Sequence, residues 1–183
     1  MATAAFDYRG EYDENWPLPK TLTLEQYRRV IFRPDAHFVD GQILPRTLGD
    51  RTHGEAVVAV AGCICAASET AARGCCISLR LQTLPTRIRV CDIVVLAAGA
   101  PKEPVPTIAP LLCVEVITTG QVPEDEVPTL ADYVRMGVQN VWLIDPIRHA
   151  AFAFDTDGLH PVDPTNLAIF NTPIRLDFTA AFQ

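Results

Sequence analysis

The sequence predicts a mixed α/β fold, a central mixed β-sheet flanked by helices on both faces, in one domain. Three observations lead there. Segments of helical and strand character follow one another in the order helix, hairpin, long helix, several strands, helix, strand and strands, an order that lets helices cover a sheet on both sides. At 183 residues and 49% hydrophobic composition the chain can bury one sizeable core and is short for two. No internal repeat or low-complexity segment interrupts it.

Taken in order, residues 1–20 are acidic, carry scattered aromatics and end in Trp16-Pro17-Leu18-Pro19, which predicts an extended, loosely attached arm ahead of a domain over 21–183. Thr23-Leu24-Glu25-Gln26 fits a capping box and opens a short helix to about Phe32, stopped by Pro34. Asp40-Gly41, between the β-prone runs Phe38-Val39 and Gln42-Ile43-Leu44, predicts a tight hairpin, and Pro45 ends its second strand. The apolar run from His53 to Ala72 predicts a long helix packed on the sheet, with Gly74 as its C′ residue. Strands are expected over Cys75 to Gln82, Ile88 to Leu96 and Pro110 to Ile117, the last two separated by an exposed proline-rich loop. Glu124-Asp125-Glu126 before Pro128 gives an acidic first turn, favourable against the helix dipole, for a helix running to Met136 and ended by Gly137. Val141 to Asp145 reads as a buried strand. Ala151 to Phe154 and Ile174 to Phe178 read as further strands, separated by the Asp155 to Gly158 turn and a polar loop.

Composition excludes several classes. No apolar run approaches the roughly 20 residues of a membrane span, and the acidic N-terminus lacks the pattern of a signal peptide, so the expectation is a cytoplasmic protein with no membrane partner. All six cysteines lie inside apolar segments, which suits reduced core residues better than a disulfide framework. A zinc site on Cys63, Cys65, Cys75 and Cys76 fits poorly: paired CxxC knuckles are missing, and residues two apart on a helix diverge. The net charge of -7 argues against a protein that coats nucleic acid, yet nine arginines face five acids between Arg28 and Arg89. Such a basic half can meet a phosphate backbone unless its arginines are scattered over several faces. Lysine is nearly absent, with only Lys20 and Lys102.

Two acids break the apolar pattern of the strands. By period-two alternation Asp92 shares a face with Ile88, Val90, Val94 and Leu96, and Glu115 shares one with Leu111, Cys113 and Ile117. A buried carboxylate without partners costs several kcal/mol, in order of magnitude, or takes up a proton, and a divalent cation between two acids removes that penalty. On neighbouring strands the pair would stand close enough to grip one ion. Magnesium suits it best, since it prefers oxygen ligands and is commonly held by one or two carboxylates with a substrate phosphate.

Asp92, followed after a loop by Glu115-Val116-Ile117, resembles the core motif of the PD-(D/E)XK nuclease superfamily: an acid on one strand, then acid, any residue, lysine on the next. More closely, Phe38-Val39-Asp40-Gly41-Gln42-Ile43, Arg89-Val90-Cys91-Asp92-Ile93-Val94-Val95, Val114-Glu115-Val116-Ile117 and Leu130-Ala131-Asp132-Tyr133 through Gly137-Val138-Gln139-Asn140-Val141-Trp142-Leu143-Ile144-Asp145-Pro146 resemble the Uma branch of bacterial restriction-endonuclease-like proteins, from about Leu22 to the C-terminus. The resemblance implies a restriction-endonuclease-like core and a Mg2+-dependent (or Mn2+-dependent) DNA endonuclease. It implies Asp92 and Glu115 as catalytic metal ligands, His37 as an outer ligand, DNA as partner and a homodimer.

The chain departs from the pattern at decisive places. Cys91 replaces the proline before the first acid, and His37 stands where the family shows a glutamate, while Asp125 and His53 match family positions. Ile117 replaces the motif lysine, and Thr129 occupies the helix position where the Uma branch commonly supplies one. Neither can orient a water or balance transition-state charge as a lysine does. Lys102, Arg80, His37 and His53 are the candidates to substitute. Loss of the lysine also supports an alternative, a catalytically inactive nuclease-fold protein acting as a nucleic-acid-binding or protein-interaction module.

Overall fold

Arg87–Val95 becomes the strand on which the sheet is assembled. The computed structural model describes residues 21–32, 35–67, 74–170, 172 and 174–182, and the arm expected over residues 1–20 lies outside them. The elements are α1 (Leu24–Arg29), β1 (Ala36–Val39), β2 (Gln42–Pro45), α2 (Arg51–Ala67), β3 (Cys75–Leu84), β4 (Arg87–Val95), β5 (Leu112–Val116), α3 (Pro123–Met136), β6 (Val141–Asp145), β7 (Ala150–Asp155), β8 (Gly158–Val162), β9 (Leu167–Ala168), β10 (Arg175–Leu176) and a closing 3-10 turn (Thr179–Phe182). The first eight strands form one mixed sheet, and β9 and β10 pair separately. Only β5 and β6 run parallel among the described strand pairs, and α3 supplies the crossover such a pair needs.

Local signals explain most boundaries. Thr23 and Gln26 form the expected capping box of α1. Asp40 and Gly41 both have positive φ, 51° and 91°, as a two-residue turn matching the twist of its flanking strands requires. Helix α3 starts at Pro123, with the Asp125 carboxylate accepting the Val122 N–H at 3.0 Å, and Gly137 at φ 102° ends it. Pro128 therefore lies inside the helix rather than at its start.

Three expectations change. The polar stretch after Gly158 is strand β8, paired along its length with β7 and able to carry Pro161 because it is an edge. The strand expected over Ile174 to Phe178 shrinks to the two residues of β10. Gly74 is not in the left-handed conformation of a C′ residue. A Cβ there would collide with the Leu96 carbonyl, and the Gly74 carbonyl accepts the Leu96 N–H at 2.9 Å, so it is a close-approach glycine between β3 and the end of β4.

The helices cover opposite faces. On one, Val57, Val60 and Ile64 of α2 pack on Ile93, Val95, Val114 and Ile144, with Phe178 and Leu176 closing the layer. On the other, Leu130 and Tyr133 of α3 pack on Leu81, Cys91, Val94, Cys113 and Leu143. Tyr27, Phe32, Phe38, Ile43 and Ile88 form a third cluster under α1 and the hairpin. Each fully buried large side chain contributes about 1.5–3 kcal/mol. Among the described residues no helix is long and apolar enough to cross a membrane.

Strand β4 changes phase at Asp92. Arg89 and Cys91 face α3, where Arg89 bonds Asp132, but beyond Asp92 it is Val94 that faces α3 while Ile93 and Val95 face α2. The pairing register flanks the slip: Ile77 opposes Ile93, Leu79 opposes Cys91, and Ser78 between them has φ 52°. The predicted common face of Asp92 with Val94 and Leu96 is thus overturned. Those two turn to α3, and Asp92 turns to His53 on α2. For Glu115 the alternation holds within and just after β5, where Cys113 and Ile117 share its α3 side, but Leu111, ahead of the strand, packs with the α2 cluster.

Replacing Gly74 by Ala should lower stability by about 1–3 kcal/mol through overpacking against β4. A reduced denaturant midpoint at unchanged m-value is the expected readout, and an unchanged midpoint would show that the strands do not approach so closely.

Candidate active site

Strand β4 carries β3 along one edge and two shorter strands on the other. Arg87 pairs with both Leu84 of β3 and Val39 of β1, and Ile93 pairs with both Ile77 of β3 and Val114 of β5, so β1 and β5 lie on the same edge at opposite ends. Between them the sheet forks. Backbone donors in the fork still need partners, and side chains provide them. The Val90 N–H donates to His37 Nδ1 at 3.1 Å, and the Val116 N–H donates to Asp92 Oδ2 at 3.0 Å.

The fork brings the two acids together. Asp92 is 2% and Glu115 4% exposed. Arg46 donates from Nη2 to Asp92 Oδ1, and the same nitrogen lies 3.9 Å from Glu115 Oε2. His53 Nε2 lies 3.2 Å from Asp92 Oδ2, and the Tyr133 hydroxyl donates to Glu115 Oε1 at 2.5 Å. Asp92, Glu115, Arg46 and His53 line an open, polar cavity of about 240 Å³, together with His37, Thr118, Gln121, Asp125, Glu126 and Thr129.

Electrostatics divides the pair. Burial acts to raise the Asp92 carboxyl, but the His53 hydrogen bond and the Arg46 charge outweigh it and hold Asp92 below the usual carboxylate range. Burial, with the neighbouring Asp92 charge adding to it, pushes Glu115 well above that range. Two close carboxylates resist double ionisation, and Glu115 is the member that keeps a proton longer. His37 is pushed down to about 3 by burial and by the Arg89 and Arg46 charges. Its imidazole is therefore neutral, with Nδ1 the acceptor and hydrogen on Nε2.

A short irregular segment between β2 and α2 delivers Arg46. The Thr118 hydroxyl donates to the Leu48 carbonyl at 3.3 Å, and Gln121 Nε2 donates to Thr47 Oγ1 at 3.2 Å and to Glu126 Oε1 at 2.9 Å. Asp50 joins this segment to both neighbours. Its Oδ1 accepts the His53 N–H at 2.9 Å, capping α2, and its Oδ2 accepts the Thr119 N–H at 3.2 Å.

The family described as "Uma2: Putative restriction endonuclease" matches residues 24–177. The chain belongs to this family. No curated protein matches it. Among solved structures, a protein from Anabaena variabilis described as a putative nuclease of DUF820 aligns with a TM-score of 0.74 at 19% identity, over 88% of this chain and 97% of that one. That likeness shows a shared fold, a mixed sheet with helices on both faces.

Within this Uma2 chain, the predicted site residues fall into two groups. Asp92, Glu115, His37 and His53 all line the cavity, and His53 adds to its helix-start bond a ring contact with Asp92. Lys102 is exposed in the proline-rich loop and does not line the cavity. Arg80 is engaged elsewhere, paired with Asp35 and stacked 4.7 Å over the Tyr27 ring. Thr129, the vacant lysine position of the helix, does line the cavity. The cation beside the acids is Arg46, which no motif flagged. Half-buried Glu126 and fully buried Tyr133 were also missed, because one reads as part of an acidic first turn and the other as an apolar-face residue of α3.

Among the described residues, most arginines of the basic half are paired with acids. Arg29, Arg51 and Arg80 pair with Glu25, Glu55 and Asp35, and Arg87, Arg89 and Arg135 converge on fully buried Asp132. Cys91 and Cys113 are buried and all six thiols are free. Among the described residues no group of three or more His, Cys, Asp or Glu side chains is arranged to hold a metal ion.

Asp50 generates a pH prediction. Its bonds to the His53 and Thr119 N–H groups hold its carboxyl at about 2, below the unfolded value, so the stability it contributes is complete above the unfolded pKa and lost as pH falls through about 2. An Asp50→Asn variant should show a shallower loss of melting temperature between pH 4 and 2 than the wild type. Parallel acid profiles would contradict the assignment.

Proposed function

We propose that the chain is a divalent-metal-dependent endonuclease that hydrolyses DNA phosphodiester bonds at the fork between β4 and β5. The observation that carries this reading is the shared guanidinium nitrogen. One positive centre bonds Asp92 and stands 3.9 Å from Glu115, which supports the reading that a single cation can serve both carboxylates. An all-oxygen pair facing an open polar cavity fits Mg2+ or Mn2+, whose remaining positions water and a phosphate can fill. Asp92 and Glu115 would hold the ion, which when bound supplies Lewis-acid polarisation of the phosphodiester and a more acidic water.

The chain's own residues do the rest. Before an ion binds, Asp92 stays ionised through its bonds to Arg46 and His53, and the Val116 N–H fixes one of its oxygens. Tyr133 fixes Oε1 of Glu115 and leaves Oε2 toward Arg46. Neutral His37 presents a donor and no charge, and with Nδ1 on Val90 it serves the fork's backbone rather than a ligand shell. Arg46 is the cation at the acids in a motif whose two lysine positions hold Ile117 and Thr129. Cutting both strands of a duplex with one such site per chain calls for two copies, and a two-fold dimer meets that need.

A second reading rests on the same arginine. Arg46 already neutralises Asp92, which favours a non-catalytic relative that keeps the fold as a nucleic-acid-binding or protein-interaction module. Incubation with supercoiled, linear and single-stranded DNA in Mg2+ or Mn2+ separates the two. Cleavage by wild type that falls more than about 100-fold in Asp92→Ala and Asp92→Asn supports the nuclease, since even changes around a ligand cost 10–100-fold. No cleavage of any substrate in either ion would favour the second reading.

A further inference from the structure

The two acids and the cation between them differ in how firmly they are held. Asp92 and Glu115 project from strands of the sheet, are nearly inaccessible, and each has a further fixed partner, the Val116 N–H for one and the Tyr133 hydroxyl for the other. Arg46 comes from outside any strand or helix, and its side chain is 19% exposed at the cavity. Its guanidinium is held by Asp92 and faces Glu115, and among the described residues it bonds to no other acceptor. The neighbouring main chain is tied down through Thr47, Leu48 and Asp50, so the side chain can leave the acids without the segment moving.

Resting on the metal-site reading above, we propose that Arg46 is a resident counter-cation that closes the site, and that a divalent ion binds Asp92 and Glu115 only by displacing it. The physical reason is competition for the same oxygens. A buried carboxylate pair needs a positive partner, an arginine bond to one carboxylate supplies it in the absence of metal, and two cations cannot occupy the place without strong repulsion. The guanidinium also covers Oδ1 of Asp92, the oxygen left after Val116 and His53 have taken Oδ2. Metal entry thus exposes the one Asp92 oxygen free of other bonds and releases an arginine inside the cavity. Metal affinity in this chain is set by a residue that is not itself a ligand.

The test is Mn2+ binding by titration calorimetry to the full chain, comparing wild type with Arg46→Gln, Arg46→Lys and the double variant Arg46→Gln/Asp92→Asn. Arg46→Gln should bind Mn2+ at least tenfold more tightly than wild type, Arg46→Lys should fall between them, and the double variant should lose binding. In EDTA, Arg46→Gln should melt below wild type and recover most of the difference on adding Mn2+. Equal affinity in wild type and Arg46→Gln, abolished by Asp92→Asn, would overturn displacement while leaving the metal site standing. Absence of Mn2+ binding in every variant would overturn both. Should Arg46→Gln fail to fold, the wild type decides by NMR: Mg2+ at saturation should abolish the slow rotation of the Arg46 guanidinium, and an unchanged Arg46 signal in Mg2+-saturated protein would overturn the proposal.

Discussion

Everything at the candidate site depends on the Asp92 carboxylate taking the place of a strand. Where the ladder between β4 and β5 stops at Ile93 and Val114, Asp92 Oδ2 accepts the Val116 N–H that further pairing would otherwise have satisfied. A backbone donor left orphaned there would cost about as much as a lost hydrogen bond. The phase slip opposite Ser78 turns this one side chain into the fork. The sheet opens where a charge stands ready to complete it.

That arrangement creates a second demand, because a nearly inaccessible carboxylate must itself be balanced. Arg46, His53 and Val116 converge on Asp92, while Glu115 beside it retains a proton more readily and leans on Tyr133. Removing one member of such a buried pair typically costs about 3–5 kcal/mol, since the remaining charge is left uncompensated. A similar device supports the α3 face of the sheet farther along β4, where three arginines hold fully buried Asp132. Among the described residues, Arg46, Arg87 and Arg89 of the basic half thus serve buried acids.

Much of the fold was legible because it rests on local chemistry. The capping box at Thr23, the Asp40-Gly41 turn and Gly137 each place a boundary by backbone needs that neighbouring residues reveal. The pairing of Asp92 with Glu115 was legible too, from their intrusion into apolar strands and from the motif around them. Less was visible where distant segments decide the outcome. Nothing near Ser78 signals that the side chains of β4 will change face at Asp92, and β8 looks like a polar loop because an edge strand tolerates Pro161 and polar neighbours. Arg46 was hidden for the same reason. Its significance comes from a fork between strands that lie far from it in sequence, and only the folded sheet brings a residue after the hairpin to acids 46 and 69 positions later.

In the proposed mechanism the fork is a single cation site, held by Arg46 until a divalent ion replaces it. Crystals grown with and without Mn2+, with diffraction collected at the manganese absorption edge, test this most directly. The account predicts one anomalous peak in contact with both Asp92 and Glu115, and an Arg46 side chain withdrawn from Asp92 in the manganese crystal alone. An Arg46–Asp92 pair that stays intact at saturating Mn2+, with no peak between the two carboxylates, would contradict it.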